Sequence, residues 1–413
     1  MTQARILADY VAGGTTAAEF DYMDGVTSNV QTQLDAKLAL AGGTMTGDLV
    51  PATPMSHRNM IINGGMQVWQ RGTATTTVSD GYNAVDRFYQ TEYTDGAYTV
   101  ERDELSVADQ GTTGHRYAME LNVTTADTSL ASNQNSYFFT RIEAQDLQHL
   151  RWGSSSAKTL TLSFWVKSNK TGTYTTHFRK MDSTAYWLVM EYTISSANTW
   201  EQKTITVSPT AGSTSLITNS GGAIANDNGS GLEVGWSLAF GSDYHTTAGT
   251  WVATEDYSTS NQVNWMDSTS NNFFITGIQL ELGSSATPFE HRSYGEELTR
   301  CERYYQKLAE KTASTSTQPF GMATYYLSSQ LYGQLWFRTE MRAEPTLANT
   351  TGSDYYKAYS NSSNDAFDGI TMQNSGIGSV MWWFGTDISG TAGHGAWCRC
   401  QNAGALIAVK AEL

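Results

Sequence analysis

Thr159-Leu160-Thr161-Leu162-Ser163-Phe164-Trp165-Val166-Lys167 places apolar Leu160, Leu162, Phe164 and Val166 at every second position, between Thr159, Thr161, Ser163 and Lys167. A period of two sends alternate side chains to opposite faces, so the stretch reads as a half-buried strand. The same period runs through Tyr117, Met119, Leu121 and Val123, and through Tyr186, Leu188, Met190, Tyr192 and Ile194. It recurs in Leu232, Val234, Trp236, Leu238 and Phe240, then in Phe274, Ile278 and Leu280. Turn-forming runs such as Asn169 to Gly172 and Asn226 to Gly231 separate these stretches. Many alternating strands without helices between them specify a β-sandwich, expected here as a jelly roll over residues 58–292.

Outward from that core the pattern changes. Upstream, Met23, Val26, Val30, Leu34 and Leu38 recur every three or four residues along Ala17 to Ala39, with Thr27, Gln31, Gln33 and Asp35 on the other side. One helix of this length is marginal in water, so its apolar stripe predicts a short coiled coil over 20–41 with these five residues as its seam. Residues 42–57 are too rich in Gly to be helical and contain Pro54, which marks a boundary. Downstream, Tyr294, Leu298, Cys301, Tyr305 and Leu308 share one helical face, predicting a helix over 293–310, with Glu296 and Glu297 favouring its N-terminal dipole. Strand pattern then returns: Leu331, Leu335 and Phe337 alternate with Tyr332, Gln334 and Trp336, and Leu406 to Val409 reads as the last strand. Residues 311–413 form a second β-domain that reads as too thin to stand alone, so packing against copies of itself is expected to complete its core.

Bulk composition excludes several functions. The 413 residues carry 40 acidic against 25 basic side chains, a formal charge of -15 that repels a phosphate backbone and argues against nucleic-acid binding. The 22 Tyr and 12 Trp are more than a disordered chain would hold. Three cysteines, Cys301, Cys398 and Cys400, form no disulfide framework. No N-terminal apolar core reads as a secretory signal, and no run approaches the roughly 20 apolar residues that span a bilayer, so no membrane insertion is expected.

Signatures of catalysis are missing from the sequence: no Gly-rich phosphate loop, no His-Glu-x-x-His and no Gly-x-Ser-x-Gly. His57, His115, His149, His177, His245, His291 and His394 are scattered without metal-ligand spacing. Paired carboxylates for glycan cleavage stay conceivable, because partners can be distant in sequence. Aromatic rings in polar surroundings are the stronger signal: Tyr82, Tyr244, Trp251, Tyr257 and Trp265 in the sandwich, and Tyr355-Tyr356, Trp382-Trp383 and His394-Gly395-Ala396-Trp397 near the end. Such rings can stack on the C–H faces of sugars, but they can equally cap the sandwich or fill an axis between subunits. Tyr355, Trp382, His394, Trp397, Trp251 and Trp265 are the candidate glycan-binding residues. Arg71, Asp86 and Arg87 read as an ion-pair network that holds the fold.

Three patches resemble the tail fibres of tailed bacteriophages. Ala17 to Leu34 resembles a short helical element of such fibres, and Leu40 to Leu49, with Gly42-Gly43-Thr44-Met45-Thr46-Gly47-Asp48, resembles the repeat that follows it. Arg58-Asn59-Met60-Ile61-Ile62-Asn63-Gly64-Gly65-Met66-Gln67-Val68-Trp69-Gln70-Arg71-Gly72 resembles the opening of a fibre-borne, carbohydrate-binding-module-like sandwich. Asp86-Arg87-Phe88, Leu162 to Lys167, Gly277 to Gly283 and Arg300 to Tyr305 continue that likeness in order. The resemblance, over roughly residues 15–308, implies a non-enzymatic homotrimeric virion protein, made in the host cytoplasm. Residues 1–19 would meet the tail or an adaptor protein, and the β-domains would meet host surface polysaccharide. Alternatives are a fibre-borne polysaccharide depolymerase and a purely structural tail or baseplate adaptor. No cofactor is implied, apart from a structural calcium of the kind similar sandwiches hold near the positions of Asn63 and Glu281, where Gly65 stands in place of a helpful carboxylate.

Overall fold

A computed structural model describes residues 56–313 and 318–413. The expected tail-attachment segment, coiled coil, trimer seam and fibre repeat therefore lie outside the described residues. The strands of the first body are β1 (Thr76–Thr77), β2 (Tyr89–Tyr93), β3 (Ala97–Glu104), β4 (Tyr117–Thr125), β5 (Asn135–Glu143) and β6 (Leu160–Ser168). They continue as β7 (Gly172–Lys180), β8 (Tyr186–Ile194), β9 (Glu201–Val207), β10 (Ser230–Phe240), β11 (Trp251–Val252) and β12 (Asn272–Leu282). They form two antiparallel six-stranded sheets, ordered β1-β3-β4-β12-β6-β9 and β11-β8-β7-β10-β5-β2. The inward residues meet between the sheets: Phe164 packs edge-on against Tyr192 and Trp236, with ring centroids 5.2 and 5.7 Å apart. The expected β-sandwich is thus present.

Two bulges shift the alternation. In β12 the register slips between Thr276 and Gln279, where Gly277 adopts φ 62°. Phe273 and Ile275 point into the core, as do Ile278 and Leu280 beyond the slip, while Phe274 turns out to join Trp165 and Trp200. A slip between Ser237 and Ala239 likewise puts Ala239 inside and sends Phe240 out to Trp187 and Tyr257. An inserted residue reverses the facing of all that follows, so the expectation that Phe274 and Phe240 are core residues is corrected.

Gly277 also fixes a buried histidine. A Cβ at this position would stand 2.5 Å from the His115 ring, which packs edge-on against Phe289 at 4.5 Å. Burial, followed by the neighbouring His291, lowers the His115 pKa from 6.5 to about 4. The folded state thus takes up this proton less readily than the unfolded chain. The stability that neutral His115 permits is complete above pH 6.5 and lost as pH falls through about 4. Acidification over that window is expected to cost about 2–3 kcal/mol through this group. His115→Phe should flatten the acid limb of a stability-versus-pH curve measured by urea unfolding; an unchanged limb would assign the acid sensitivity elsewhere.

Helix α1 (Val107–Thr113) links β3 to β4, and α2 (Tyr294–Glu302) leaves the sandwich, its first turn capped by the Ser293 hydroxyl accepting from the Glu296 N–H. The helix expected to reach residue 310 stops at Glu302. Residues 305–310 instead form β13 (Tyr305–Glu310), paired with the last strand. What ends the helix is anchorage: Arg303 donates twice to the buried Glu143 carboxylate, at 2.7 and 2.9 Å, and the Tyr304 hydroxyl donates at 2.6 Å. These donors hold the Glu143 pKa below the ordinary glutamate value despite its burial.

The second body contains β13, β14 (Gln318–Leu327), β15 (Gln330–Trp336), β16 (Thr346–Asn349), β17 (Tyr356–Ser360), β18 (Ser363–Phe367), β19 (Thr371–Ser375), β20 (Ser379–Phe384), β21 (Gly395–Cys400) and β22 (Leu406–Lys410). A three-stranded sheet, β13-β22-β16, accompanies a seven-stranded one, β18-β17-β21-β14-β15-β20-β19. Together they enclose Trp382, Tyr356, Phe367, Tyr325, Leu331 and Val380, all essentially without exposure. The expectation that copies must supply this body's core is corrected: the chain fills it with its own aromatic rings.

The opening motif joins the two bodies. Asn63 donates to the Val68 and Asp86 carbonyls and accepts from the Gln67 and Val68 N–H groups. Gln70 donates to Asp86 and to the Tyr305 carbonyl. Glu412, from the second body, accepts from Arg71 at 2.5 Å and from Arg87 at 2.8 Å. The two guanidinium groups also sit over the Tyr305 and Tyr304 rings, at 3.8 and 3.4 Å. Burial, opposed by Arg71 and Gln70, pushes the Asp86 carboxyl up to about 6. Arg71, Asp86 and Arg87 therefore form the fold-holding network that the sequence suggests, and it extends to Glu412. The Asn63 side chain is saturated, and Glu281 accepts from Gln279 and from the N–H and hydroxyl of Thr287. Both positions named for a structural calcium are thus engaged in protein hydrogen bonds.

Candidate functional site

Three of the aromatic candidates are core residues, not ligand platforms. Trp251 is 1 % exposed and donates its indole N–H to the Ser208 carbonyl. Trp265 is fully buried, donates to the Asn272 carbonyl and meets the edge of Tyr98 at 5.7 Å. Trp382 is also fully buried. In β20 the alternation sends Val380 and Trp382 inward and Met381 and Trp383 outward, so Trp383 is the accessible member of the pair. Tyr355 is half-buried against the second core, above Gly352, whose Cβ position lies 2.5 Å from the tyrosine ring.

The sandwich offers little beyond its own packing. On the outward face of the β11-β8-β7-β10-β5-β2 sheet, Tyr257 is 4 % exposed and packs with Tyr137, Phe240 and His177. Ser237 donates to the Tyr257 carbonyl, fastening the segment that covers the face. A cleft of about 470 Å³ between the bodies is lined by Arg71, Tyr82, Tyr89, Arg342, Lys410 and Glu412, among others. Its guanidinium groups are already committed: Arg71 to Asp86 and Glu412, Arg342 to the Ala411, Asn228 and Glu412 carbonyls. This cleft is a seam of the fold.

The accessible chemistry lies on the second body, where β17, β18, β21 and β14 meet. Register places Tyr359 opposite Trp397 and Trp397 opposite Met322. The Tyr359 and Trp397 rings stack at 4.4 Å with an interplanar angle of 14°. Arg399 lies over Tyr359 at 4.5 Å, stiffening the pair from the side. Trp397 keeps 41 % of its surface exposed and Met322 keeps 66 %.

Beside the stack, the β17–β18 hairpin turns at Asn361 and Ser362, with φ of 47° and 65°. Two left-handed residues match the twist of a tight hairpin, and Asn tolerates that conformation through local hydrogen bonding. The turn divides two cavities. One, of about 380 Å³, is lined by Met322, Tyr359, Trp397, Asn361 and the Ser362–Asn364 turn residues, and lies in the size range of small-ligand sites, roughly 300–1,000 Å³. The other, of about 160 Å³, is lined by Tyr325, Asp365, Ser389, Thr391 and His394. Asp365 accepts from the Ser389 N–H, and burial followed by the Asp365 charge pushes the Tyr325 phenol up to about 12.

The structure thus brings Trp397 and His394 to opposite sides of one hairpin and leaves Tyr355, Trp382, Trp251 and Trp265 elsewhere. It adds Tyr359 and residues 361–364, the hairpin turn and the first two residues of β18. Asn-Ser-Ser-Asn between two strand-like runs was the available signal for the turn. Among the described residues, Asp365 is the only carboxylate lining either cavity, whereas cleaving a glycosidic bond ordinarily uses two. Among the described residues, no group of three His, Cys, Asp or Glu side chains is placed to hold a metal.

No protein-family model matches this chain, and no curated protein matches it. Among solved structures it is similar to the enzymatically active domain of bacteriophage CBA120 tailspike protein 4, at 13% identity and a TM-score of 0.26, over 55% of this chain and 21% of that one. It is also similar to a family 11 carbohydrate-binding module of Clostridium thermocellum, at 13% identity and a TM-score of 0.24, covering 53% and 99%. A tandem CBM22 domain of Paenibacillus barcinonensis Xyn10C gives 7% identity and a TM-score of 0.27, covering 89% and 100%. Scores this low assign no function.

Proposed function

We propose that this chain is a receptor-binding tail-fibre protein of a bacteriophage, which attaches the virion to host surface glycans without cleaving them. In this reading it works as a homotrimer joined through the Met23–Leu38 stripe, with residues 1–19 meeting the tail. The carrying observation is the exposed Trp397, held by Tyr359 beside a cavity edged with Asn and Ser side chains. A flat ring accepts the C–H face of a sugar, and amides and hydroxyls both donate to and accept from its hydroxyl groups. Weak single sites gain strength when several copies engage one surface. The single carboxylate supports binding over hydrolysis.

Trp397→Ala is expected to weaken binding to a glycan array, and adsorption to host cells, by roughly tenfold or more, the scale set by losing a desolvated aromatic anchor. Because Trp397 keeps 41 % of its surface exposed, the variant should lose far less stability than the same change at a fully buried ring. Undiminished glycan binding by Trp397→Ala would remove the site from this hairpin. Shortening of the bound polysaccharide by the wild-type chain would favour the depolymerase reading.

A further inference from the structure

The seven-stranded sheet carries a second aromatic group on the same outward face. Met322 and Thr324 share a face of β14; Met322 pairs with Trp397, and Thr324 pairs with Tyr332, which in turn pairs with Trp383. Tyr326 and Tyr332 meet at 5.4 Å, and Tyr332 stacks on Trp383 at 6.2 Å. Tyr326 is 69 % exposed. From β17, which bears Tyr359, to β20, which bears Trp383, there are four strand spacings, about 19 Å at about 4.8 Å each. One sugar ring cannot span that distance; a chain of several can.

Charge indicates which kind of chain. In a protein with 40 acidic and 25 basic residues, β14, β15, β17, β19, β20 and β21 contain no Asp or Glu at all. Lys357 and Arg399 lie opposite each other on the face that carries Tyr359. The strands of this face are therefore neutral to cationic, in a chain whose formal charge as a whole is -15. A surface cleared of carboxylates admits a negatively charged ligand that the rest of the chain repels.

We propose that this face binds an extended acidic polysaccharide running across the strands, with Tyr359 and Trp397 gripping one stretch and Tyr326, Tyr332 and Trp383 another. Lys357 meets its carboxylates. The inference rests on the glycan-binding reading above and names the class and length of the glycan.

The test uses the full chain and a panel of uronate-containing capsular polysaccharides. Each is presented intact, after reduction of its carboxylates to alcohols, and as size-fractionated fragments from disaccharide to decasaccharide. Bound polymers should lose about tenfold in affinity on carboxyl reduction, and octasaccharides should bind about tenfold better than disaccharides of the same polymer. Tyr326→Ala and Trp383→Ala should each erase much of that length gain while sparing disaccharide binding. Lys357→Gln should cost about twofold to fivefold, less at high salt. Equal binding of reduced polymers, or equal affinity for short and long fragments, overturns the proposal while leaving glycan recognition intact. Binding to neutral polysaccharides alone does the same. Binding to no polysaccharide, neutral or acidic, overturns the receptor reading along with it. If Tyr326→Ala lowers the mass of the assembly in light scattering, the face is instead a contact between copies, and the proposal falls.

Discussion

Glu412→Gln is expected to destabilise the junction between the two β-bodies by about 3–5 kcal/mol, the scale for removing one partner from a buried ion pair. Arg87 is 1 % exposed and cannot regain water when its counter-charge is lost, whereas Arg71 keeps Asp86 at 3.4 Å. Burial works against the Arg87 charge, and the Tyr304 and Glu412 groups outweigh it, leaving its pKa above the ordinary arginine value. Without Glu412, what the structure offers the Arg87 guanidinium is the Arg141 carbonyl at 2.7 Å and the Tyr304 ring. Neither carries a compensating charge when the phenol is protonated, and burial, with Arg87 opposing it, raises the Tyr304 pKa. Urea unfolding of wild type and variant measures the loss. Adding Arg87→Met to Glu412→Gln should recover part of it, because the stranded charge is then removed; such pairs couple by roughly 0.5–3 kcal/mol. A loss below about 1 kcal/mol would place Glu412 among ordinary exposed ion pairs.

Trp382→Ala is expected to cost a similar amount, about 3–5 kcal/mol, by opening a large cavity in the second core. Its ring lies 5.7 Å from Phe320 and 6.4 Å from Phe367, and the Cβ position of Gly333 lies 2.4 Å from it. A ring this large removes roughly 150–250 Å² from water, worth about 4–6 kcal/mol at about 25 cal/mol per Å². The indole N–H has no hydrogen-bond partner among the described residues, so Trp382→Phe forfeits volume but no hydrogen bond. It should cost clearly less than Trp382→Ala. The comparison with Trp397→Ala separates the two rings: the buried one should govern unfolding, and the exposed one is proposed to act in binding. Equal unfolding midpoints for Trp382→Ala and Trp397→Ala would contradict the inward placement of Trp382.

Alternation made the sandwich legible because its period is a local property. The strand at Leu160–Ser168 and those like it follow directly from residues spaced two apart. The bulges at Gly277 and between Ser237 and Ala239 were not legible, since one inserted residue leaves composition unchanged while reversing Phe274 and Phe240. The helix end was missed for a different reason. Tyr305 and Leu308 suit a helical face as well as a strand, and Glu143, 160 residues earlier, decides the outcome by capturing Arg303. Among the candidate residues, sequence alone could not separate the exposed Trp397 from the buried Trp251, Trp265 and Trp382. An aromatic ring in polar surroundings looks the same whether its strand turns it to a core or to solvent. Tyr359 escaped notice because its partner lies across a strand pairing that no local pattern records.

The clamp at Glu412 also constrains the order of assembly. Arg71 and Arg87 precede their shared carboxylate by 341 and 325 residues, so a ribosome delivers both cations long before the group that bridges them. During synthesis the sandwich strands can pair and bury their apolar faces, yet its opening motif stays electrostatically open until β22 has emerged and docked. Closing so distant a contact is slow, because the entropy of the intervening chain must be surrendered first. The nascent sandwich is therefore held short of its final stability until the second body is complete, and a chain stopped before β22 would leave Arg87 without its carboxylate and open to the cell's proteases.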